Sequence, residues 1–452
     1  MSEEKVQLGN EGIKDARKLG IPKMLILGIQ HTFAMFGATV MVPLLTGLSI
    51  STTLLMAGLA TLLFHLISKR KVPAFLGSSF AFIGGYAAIA PLKDAAGNQL
   101  DNKELLPYAC LGVAAAGLVY LILAALVKYV GTKKVMRFFP PVVTGPIIIS
   151  IGLILSPSAI SSCSTNWLLA IIALAVIIIC NIWGKGMVKI VPIIIGVIVS
   201  YVVAVCMGAV DFTAVKEAAW VGSPIVWSRT VFGGVDFSSP LVASSIIAIV
   251  PISLATMMEH IGDISAISAT CGENFIKEPG LHRTLTGDGL ATAIASLFGG
   301  PANTTYGENT GVLALTKVYD PAVIRIAACV AVILSFSPKI EALISTIPSS
   351  IIGGVSLILY GTISAVGVRN VVESQVDLTK SRNLIIAAVI LVCAMGFNSI
   401  GGVTFNIASA SVTISGLALA AILGILLNAI LPGNDYVFDD GEQKKTGVQF
   451  KV

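Results

Sequence analysis

Charged side chains are scarce in this chain. Lys, Arg, Asp and Glu make up 12% of its 452 residues, about half of the share that a soluble domain carries. Hydrophobic residues make up 55%, and apolar windows of roughly 17–25 residues, long enough to cross a bilayer, recur along the whole length. Low charge and repeated apolar windows exclude an ordinary soluble protein, and they predict an all-α polytopic membrane protein.

Neither the cysteines nor any common enzyme motif in the sequence indicates a catalytic or metal site. The seven cysteines are scattered, mostly in apolar segments, and show neither disulfide nor metal-ligand spacing. No His-Glu-x-x-His, Gly-x-Ser-x-Gly or clustered metal-ligand pattern occurs. We therefore expect neither an enzyme nor a resident metal or cofactor. The net charge of +5 follows membrane topology, so it does not indicate a nucleic-acid partner.

Fourteen apolar spans are predicted, and the basic residues divide unequally between their two ends. If the N-terminus is cytoplasmic, only five of the 29 Lys and Arg residues fall outside, namely Lys93, Lys103, Lys216, Arg229 and Lys339. Because cytoplasmic loops carry the excess of Lys and Arg, both termini are predicted to be cytoplasmic. The spans cover residues 24–46, 52–68, 74–91, 107–128, 135–156, 166–183, 189–210, 241–266, 283–300, 305–319, 321–338, 340–366, 382–397 and 403–431.

The polar stretch 211–240, predicted to be extracellular, divides the spans into two sets of seven. Because seven is odd, the second set enters the membrane with opposite polarity, as in an inverted repeat. Pro140-Pro141-Val142-Val143-Thr144-Gly145 opens the fifth span, and Pro348-Ser349-Ser350-Ile351-Ile352-Gly353 opens the equivalent twelfth span. These similarities predict a 7+7 inverted repeat.

The spacing of unusual residues repeats as well. His31 and Phe80, in spans 1 and 3, are 49 residues apart, and so are Glu259 and Glu308, in spans 8 and 10. Spans 3 and 10 are short and rich in Gly, Ser and Thr. We expect a few extended residues in each, followed by a half-helix that begins near Phe80 in one and near Glu308 in the other. The unpaired N–H groups of such helix ends can serve a polar ligand in a protein-lined cavity.

Acidic residues at membrane depth are the main candidates for function, because each costs roughly 2.5–3.5 kcal/mol at a helix centre. Glu308 either locks two helices together or binds a ligand or proton, and no Lys or Arg is predicted at its depth to favour the first alternative. Glu259 and Asp263 lie one helical turn apart on one face. Two such acids in a low dielectric should not both be ionised, so we expect one proton to be held there.

Other polar and aromatic candidates each have a structural alternative. Asp288 is either a helix cap or a support for the acids, and His31 is either a core histidine or part of a polar network. Tyr306 and Tyr360 either pack or line a flat pocket with Phe80, where stacking would suit a planar heterocycle. His65 and His260 look structural, since His260 is expected on the flank away from Glu259.

Four stretches resemble a known family. They are Gly307–Thr316, Gln30–Pro43, Leu76–Ile83 and Asn303–Glu308. They resemble the nucleobase–ascorbate transporter (NCS2) family, and within it the bacterial uracil permeases, over nearly the whole chain. The resemblance implies that Phe80, Glu259, Gly307 and Glu308 bind the nucleobase, the positions matching Phe80 and Gly307 using their backbone. Asp263 stands where uracil permeases tend to have His. Asp at this position is more similar to the purine branch of the family.

The resemblance also implies an organisation in which a core domain moves against a gate domain. The core comprises 24–128 and 241–338, and the gate comprises 129–210 and 339–431, with cytoplasmic tails at 1–23 and 432–452. A homodimer formed through the gate domain is implied too.

These observations lead to the expectation of proton-coupled uracil import across the bacterial inner membrane by alternating access. Glu308 is expected to take up the coupled proton, supported by Asn309, Asp263 and His31, with Asp288 as a further support. A xanthine or purine symporter of the same family is the nearest alternative. An anion exchanger of similar fold is a second alternative, which two acids in the site disfavour.

Overall fold

The computed structural model describes residues 12–92, 100–407, 410–433 and 436. Residues 1–11, 434–435 and 437–452 of the predicted tails, and Lys93 of a predicted outer loop, lie outside the described residues. The helices before the 211–240 stretch are α1 (Ile21–Thr46), α2 (Ile50–Ile67), α3 (Ile83–Ile89), α4 (Leu106–Val130), α5 (Thr132–Met136), α6 (Pro141–Cys163), α7 (Trp167–Trp183), α8 (Met187–Ile190) and α9 (Pro192–Cys206).

The remaining helices begin with two short ones inside the 211–240 stretch. They are α10 (Thr213–Glu217), α11 (Val231–Gly234), α12 (Leu241–Ile249), α13 (Ser253–Cys271), α14 (Leu281–Leu297), α15 (Gly307–Thr316), α16 (Pro321–Ser335), α17 (Pro338–Ser345), α18 (Ser349–Glu373), α19 (Ser381–Ser399) and α20 (Gly416–Ile430). A single 3-10 turn at Val250–Ile252 joins α12 to α13.

Helices that could cross a membrane occur along the whole described chain. Seven of its helical segments are long and apolar enough to cross a bilayer, and α16 with α17, bent by 87°, makes an eighth candidate. The helices α7, α9 and α20 are apolar but shorter. Each of the fourteen predicted spans overlaps a helix, but the spans 74–91, 283–300 and 305–319 overlap only α3, α14 and α15, which are not among these candidates. The chain is therefore a helical polytopic membrane protein, as its composition predicts.

Two short antiparallel pairs of strands interrupt the helices. Strands β1 (Leu76–Ser78) and β2 (Asn303–Thr305) pair with Leu76 opposite Thr305 and Ser78 opposite Asn303. The pair joins segments more than 200 residues apart in sequence, and it immediately precedes α15. A turn that includes Phe80 separates β1 from α3, which begins at Ile83, close to the expected position.

Strands β3 (Val403–Ile407) and β4 (Ala410–Ile414) correct the sequence prediction. The prediction of an apolar span over 403–431 is wrong for its first half, because a hairpin precedes α20 there. The β-branched residues of this stretch favour extended backbone. Gly401 and Gly402, both with positive φ, turn the chain into the hairpin.

A second correction concerns the span predicted at 340–366. The structure divides it into α17 and α18, with a break at Thr346–Pro348. Pro348 has no backbone N–H and disfavours helical backbone in the residue before it, so one helix ends and another begins around it. Pro140 holds the corresponding position before α6.

The helices pack in two groups. The first group consists of α1, α2, α4, α13, α14, α15 and α16, and the strands β1 and β2 lie within it. Glycines bring its backbones close together: a Cβ at Gly58 of α2 would lie 2.6 Å from the Ala328 carbonyl of α16. A Cβ at Gly117 of α4 would lie 2.7 Å from the Gly289 carbonyl of α14. Such small-residue contacts are typical of helix packing in membranes.

The second group consists of α6, α7, α9, α18, α19 and α20. Its centre is the crossing of α6 and α18, the helices that open with the two Pro motifs. A Cβ at Gly152 would lie 2.1 Å from the Tyr360 carbonyl, and one at Gly367 would lie 2.8 Å from the Gly145 carbonyl. The first group meets the second where α13 contacts α6 and α20, and where α1 contacts α9 and α18.

Contacts between distant segments define the two ends of the molecule. At one end the backbone N–H of Ile13 donates to the Lys317 carbonyl (2.7 Å), just after α15. Lys71, after α2, lies 2.6 Å from Glu278, and its hydrogen bond holds the pKa of that exposed carboxyl below its usual value. At the other end Glu341 of α17 accepts a hydrogen bond from Ser49 Oγ (2.9 Å) at the start of α2.

Candidate functional site

The pairing of β1 with β2 fixes the entry to α15. The ring of Tyr306 lies over Gly77, where an added Cβ would come within 2.4 Å of it. The Tyr306 hydroxyl donates to the Ser78 carbonyl (3.0 Å), and its backbone N–H donates to the Phe75 carbonyl (3.0 Å). Tyr306 thus braces the two strands from a buried position, and it holds the residues that lead into Glu308.

Glu308 lies in the first turn of α15 and is half-buried. The next residue, Asn309, is fully buried. Its Nδ2 donates to the His31 carbonyl of α1 (3.1 Å) and lies 3.1 Å from His31 Nδ1. No side chain caps the N-terminus of α15. Asn309 and His31 thus fix α15 against α1, beside a helix end whose N–H groups can donate to a ligand.

The acids of α13 lie next to this helix end. Thr305 Oγ1, at the end of β2, donates to Asp263 Oδ2 (2.7 Å), which ties α13 to the strand before α15. Glu259 and Asp263 are half-buried, and Glu259 Oε2 has no hydrogen-bond partner among the described residues. Helix α13, which carries Glu259 and Asp263, packs against both β2 and α15, the helix that carries Glu308. The structure therefore brings together the acids that the sequence singled out.

Three glycines open space around these acids. Added Cβ atoms at Gly262, Gly307 and Gly311 would meet no other heavy atom within 4 Å. Gly262 lies between Glu259 and Asp263 in α13, and Gly307 immediately precedes Glu308. The arrangement therefore leaves room for a small ligand next to carboxyl oxygens that can accept hydrogen bonds and to helix N–H groups that can donate them.

Aromatic side chains lie at the boundary between the two helix groups. Phe80, between β1 and α3, meets Tyr360 of α18 edge to face, with ring centroids 6.0 Å apart and an interplanar angle of 76°. The Tyr360 hydroxyl is buried and has no hydrogen-bond partner in the described part of the chain. Tyr360 therefore offers an apolar ring next to Phe80.

His260 is the residue whose surroundings the sequence analysis missed. It was expected to be merely structural, yet its Nδ1 lies 3.2 Å from Asp288 Oδ2 of α14, and both side chains are completely buried. Asp288 lies within α14, so it is not a cap of that helix. The signal that could have revealed the pair is the position of His260 directly after Glu259, combined with the two glycines that flank Asp288.

No group of three or more His, Cys, Asp and Glu side chains in the described ranges could hold a metal ion. The polar atoms of the site are carboxyl, hydroxyl, amide and backbone groups. Such groups recognise a small polar molecule by hydrogen bonding and can bind or release protons.

The fold is that of membrane transport proteins. The chain is similar to the transmembrane domain of a cyanobacterium bicarbonate transporter, BicA, with a TM-score of 0.63 and 14% identity, covering 92% of this chain and 99% of that one. It is also similar to SLC26A9, with a TM-score of 0.64 and 13% identity, covering 92% of this chain and 66% of that one. At these identities the likeness defines the fold alone.

Sequence comparison defines the family. A family described as "Permease family" matches residues 22–401. The chain is 42% identical over 430 residues to a uracil permease of Bacillus caldolyticus, covering 93% of this chain and 94% of the relative. It is 37% identical over 415 residues to a uracil permease of Escherichia coli (strain K12), covering 89% of this chain and 90% of the relative. The chain belongs to this permease family, which confirms the resemblance to the nucleobase–ascorbate (NCS2) transporters.

Proposed function

We propose that this protein is a uracil permease that imports uracil together with protons by alternating access. The relatives with 37–42% identity over most of the chain are named uracil permeases, which supports uracil as the substrate. The observation that carries the proposal is the position of Glu259 and Glu308 on two helices, α13 and α15, that pack against each other beside an open space and an uncapped helix end.

Uracil is neutral and flat, with two N–H donors and two carbonyl acceptors. In the proposed complex Glu259 and Glu308 accept the N–H groups of uracil. The backbone at Gly307 and Phe80 donates to its carbonyl oxygens. The rings of Phe80 and Tyr360 supply the apolar walls, since flat heterocycles pack well against aromatic faces.

Proton coupling follows from the cost of holding several carboxyls together. Uracil binds well only when Glu308 holds a proton, because the three neighbouring acids repel one another when ionised. Asn309 with His31, and Thr305 with Asp263, hold the acids in place for that exchange. The membrane potential contributes about 2.3 kcal/mol per charge per 100 mV, so one proton could support an accumulation of some tens-fold.

The proposed architecture has fourteen spans in a 7+7 inverted repeat, with spans 3 and 10 broken at β1 and β2. Residues 24–128 and 241–338 form a core that carries the site, and 129–210 with 339–431 form the gate. The two packed helix groups support this division. We place both termini in the cytoplasm, at the end of the molecule that carries Lys71 and Lys317, and we propose a homodimer in the bacterial inner membrane.

The test is uptake of labelled uracil into proteoliposomes with an inside-alkaline pH gradient. We expect uptake that collapses with a protonophore and is competed by unlabelled uracil but not by xanthine. Competition by xanthine would transfer the assignment to purines. Uptake that ignores the gradient would leave a facilitator, and potential-independent anion flux without any nucleobase transport would favour an anion exchanger.

Replacing the proposed proton-binding acid isolates its role. Glu308→Gln keeps the size of the side chain but removes the titratable proton. We expect this variant to lose the pH-gradient dependence of uptake, or uptake altogether, while the protein remains folded. Coupled uptake at the wild-type level in Glu308→Gln would refute the proposed role of Glu308.

A further inference from the structure

His260 and Asp288 form a sealed polar pair behind the candidate site. Nδ1 of His260 in α13 lies 3.2 Å from Oδ2 of Asp288 in α14, and both side chains are 0% exposed. None of the four polar atoms of the two side chains has a hydrogen-bond partner among the described residues, so the 3.2 Å approach to each other is their polar contact. Because an isolated buried polar group is costly, each of the two side chains depends on the other for compensation.

The packing around the pair keeps water out. Gly287 and Gly289 flank Asp288, and an added Cβ would come within 2.8 Å of the Phe64 side chain at the first and 2.4 Å of Tyr120 Cβ at the second. The ring of Phe64 also meets the ring of His260 edge to face, with centroids 6.2 Å apart. The glycines thus let α2 and α4 close directly over the pair, so its position is rigidly defined.

The pair repeats an arrangement seen at the other acid. Glu308 is half-buried, and the next residue, Asn309, is fully buried and tied to His31 of the neighbouring helix α1. Glu259 is also half-buried, and His260, which follows it, is fully buried beside Asp288. Successive residues of a helix differ in direction by about 100°, so fixing one residue fixes the direction of the one before it.

We propose that His260 is a positioning residue for uracil binding. Held by Asp288, it sets the rotation of α13 about its axis and thereby aims the carboxyl of Glu259 into the site. The inference rests on the proposed function, in which Glu259 contacts the substrate. Asp288 acts through His260, and neither residue touches uracil.

The experiment is a double-mutant cycle on the purified full chain, in which the dissociation constant for uracil and the thermal unfolding midpoint are both measured. We expect His260→Leu and Asp288→Leu each to weaken uracil binding by about 10-fold or more, because a misdirected Glu259 loses the equivalent of one hydrogen bond to the ligand. The double variant His260→Leu/Asp288→Leu should recover thermal stability, since replacing both buried partners by apolar groups is nearly neutral. Its uracil affinity should stay as low as that of the single variants.

His65→Leu is the matched control. His65 is also a fully buried histidine, but its Nε2 lies 2.8 Å from the Ala74 carbonyl, and its helix α2 packs chiefly against α14 and α16. We expect it to lower the unfolding midpoint and leave uracil affinity unchanged. His260→Asn, whose amide nitrogen can take the place of Nδ1, should bind uracil more tightly than His260→Leu. If His260→Leu does not fold, Asp288→Leu serves as the test, and wild-type uracil affinity in that variant overturns the inference.

The inference is overturned if His260→Leu binds uracil as tightly as the wild type, or if the double variant regains affinity together with stability. It is also overturned if His260→Asn binds no more tightly than a folded His260→Leu. A wild-type protein that binds xanthine but not uracil refutes the proposed substrate instead. The same variants then test His260 with xanthine as the ligand.

Discussion

Thr305 and Thr304 allow a sharp test of how the site is held together. Thr305 Oγ1 donates to Asp263 Oδ2 at 2.7 Å, and this bond ties α13, with Glu259, to the strand that leads into α15, with Glu308. The neighbouring Thr304 Oγ1 is buried but makes no hydrogen bond to a described residue. Consecutive strand residues point to opposite faces, so valine at each position makes a matched pair of nearly isosteric changes.

The expected difference between the two variants can be worked out from that one bond. Loss of a hydrogen bond that leaves a buried acceptor underpaired costs about 1–3 kcal/mol. About 1.4 kcal/mol corresponds to a tenfold change in the dissociation constant. Thr305→Val should therefore weaken uracil binding by about 10-fold if the bond orients the acids. Thr304→Val removes a buried hydroxyl with no partner, so it should leave affinity unchanged and should not lower the thermal unfolding midpoint.

The assay is uracil binding by isothermal titration to both purified variants, combined with initial rates of uracil uptake in proteoliposomes. Equal affinities of Thr304→Val and Thr305→Val would refute the argument that the bond to Asp263 holds the acids in register. A fall in unfolding midpoint for Thr305→Val without a change in affinity would assign the bond to stability alone.

Two further predictions concern the glycines of the site and the N-terminal segment. Gly77→Ala would place a Cβ 2.4 Å from the Tyr306 ring and should lower the unfolding midpoint, with an overpacking cost of about 1–3 kcal/mol. Gly262→Ala meets open space, so it should keep the midpoint while raising the KM for uracil uptake; unchanged KM would place Gly262 away from the substrate. Ile13→Pro removes the N–H that donates to the Lys317 carbonyl and should lower the unfolding midpoint, because a hydrogen bond is lost. Ile13→Val keeps this N–H and should leave the midpoint unchanged.

The sequence predicted the membrane class, because apolar composition alone reveals it, and it singled out acids whose helices pack together in the structure. The Gly- and Thr-rich stretch around Glu308 and the similar stretch before Phe80 predicted extended residues and short helices, and the structure places β1, β2 and α15 there. The register of Leu76 opposite Thr305 was not predicted. Strands of three residues have no periodicity to read, and their pairing across the chain is a tertiary property.

Two predictions, the span that begins at 403 and the role of His260, were wrong or incomplete for similar physical reasons. The stretch 403–407 is apolar enough for a span, and hydropathy alone does not distinguish a β-branched hairpin from a helix. His260 was expected to point away from the site, and it does lie on another side of α13 from Glu259. Its partner Asp288 belongs to a different helix, so only the packing of α13 on α14 reveals that the two side chains meet.

The contact between Phe80 and Tyr360 differs in kind from the rest of the site. The polar contacts of Asp263 and Asn309 span 2.7–3.1 Å and lie entirely within the first helix group. The edge-to-face contact of Phe80 with Tyr360 instead joins that group to α18 of the second. An aromatic pair contributes about 0.5–1.5 kcal/mol beyond its buried area, so it can be broken at little cost. A carrier of the proposed type needs this division: directional bonds keep the binding groups fixed within one body, and weak apolar contacts let that body move against the other.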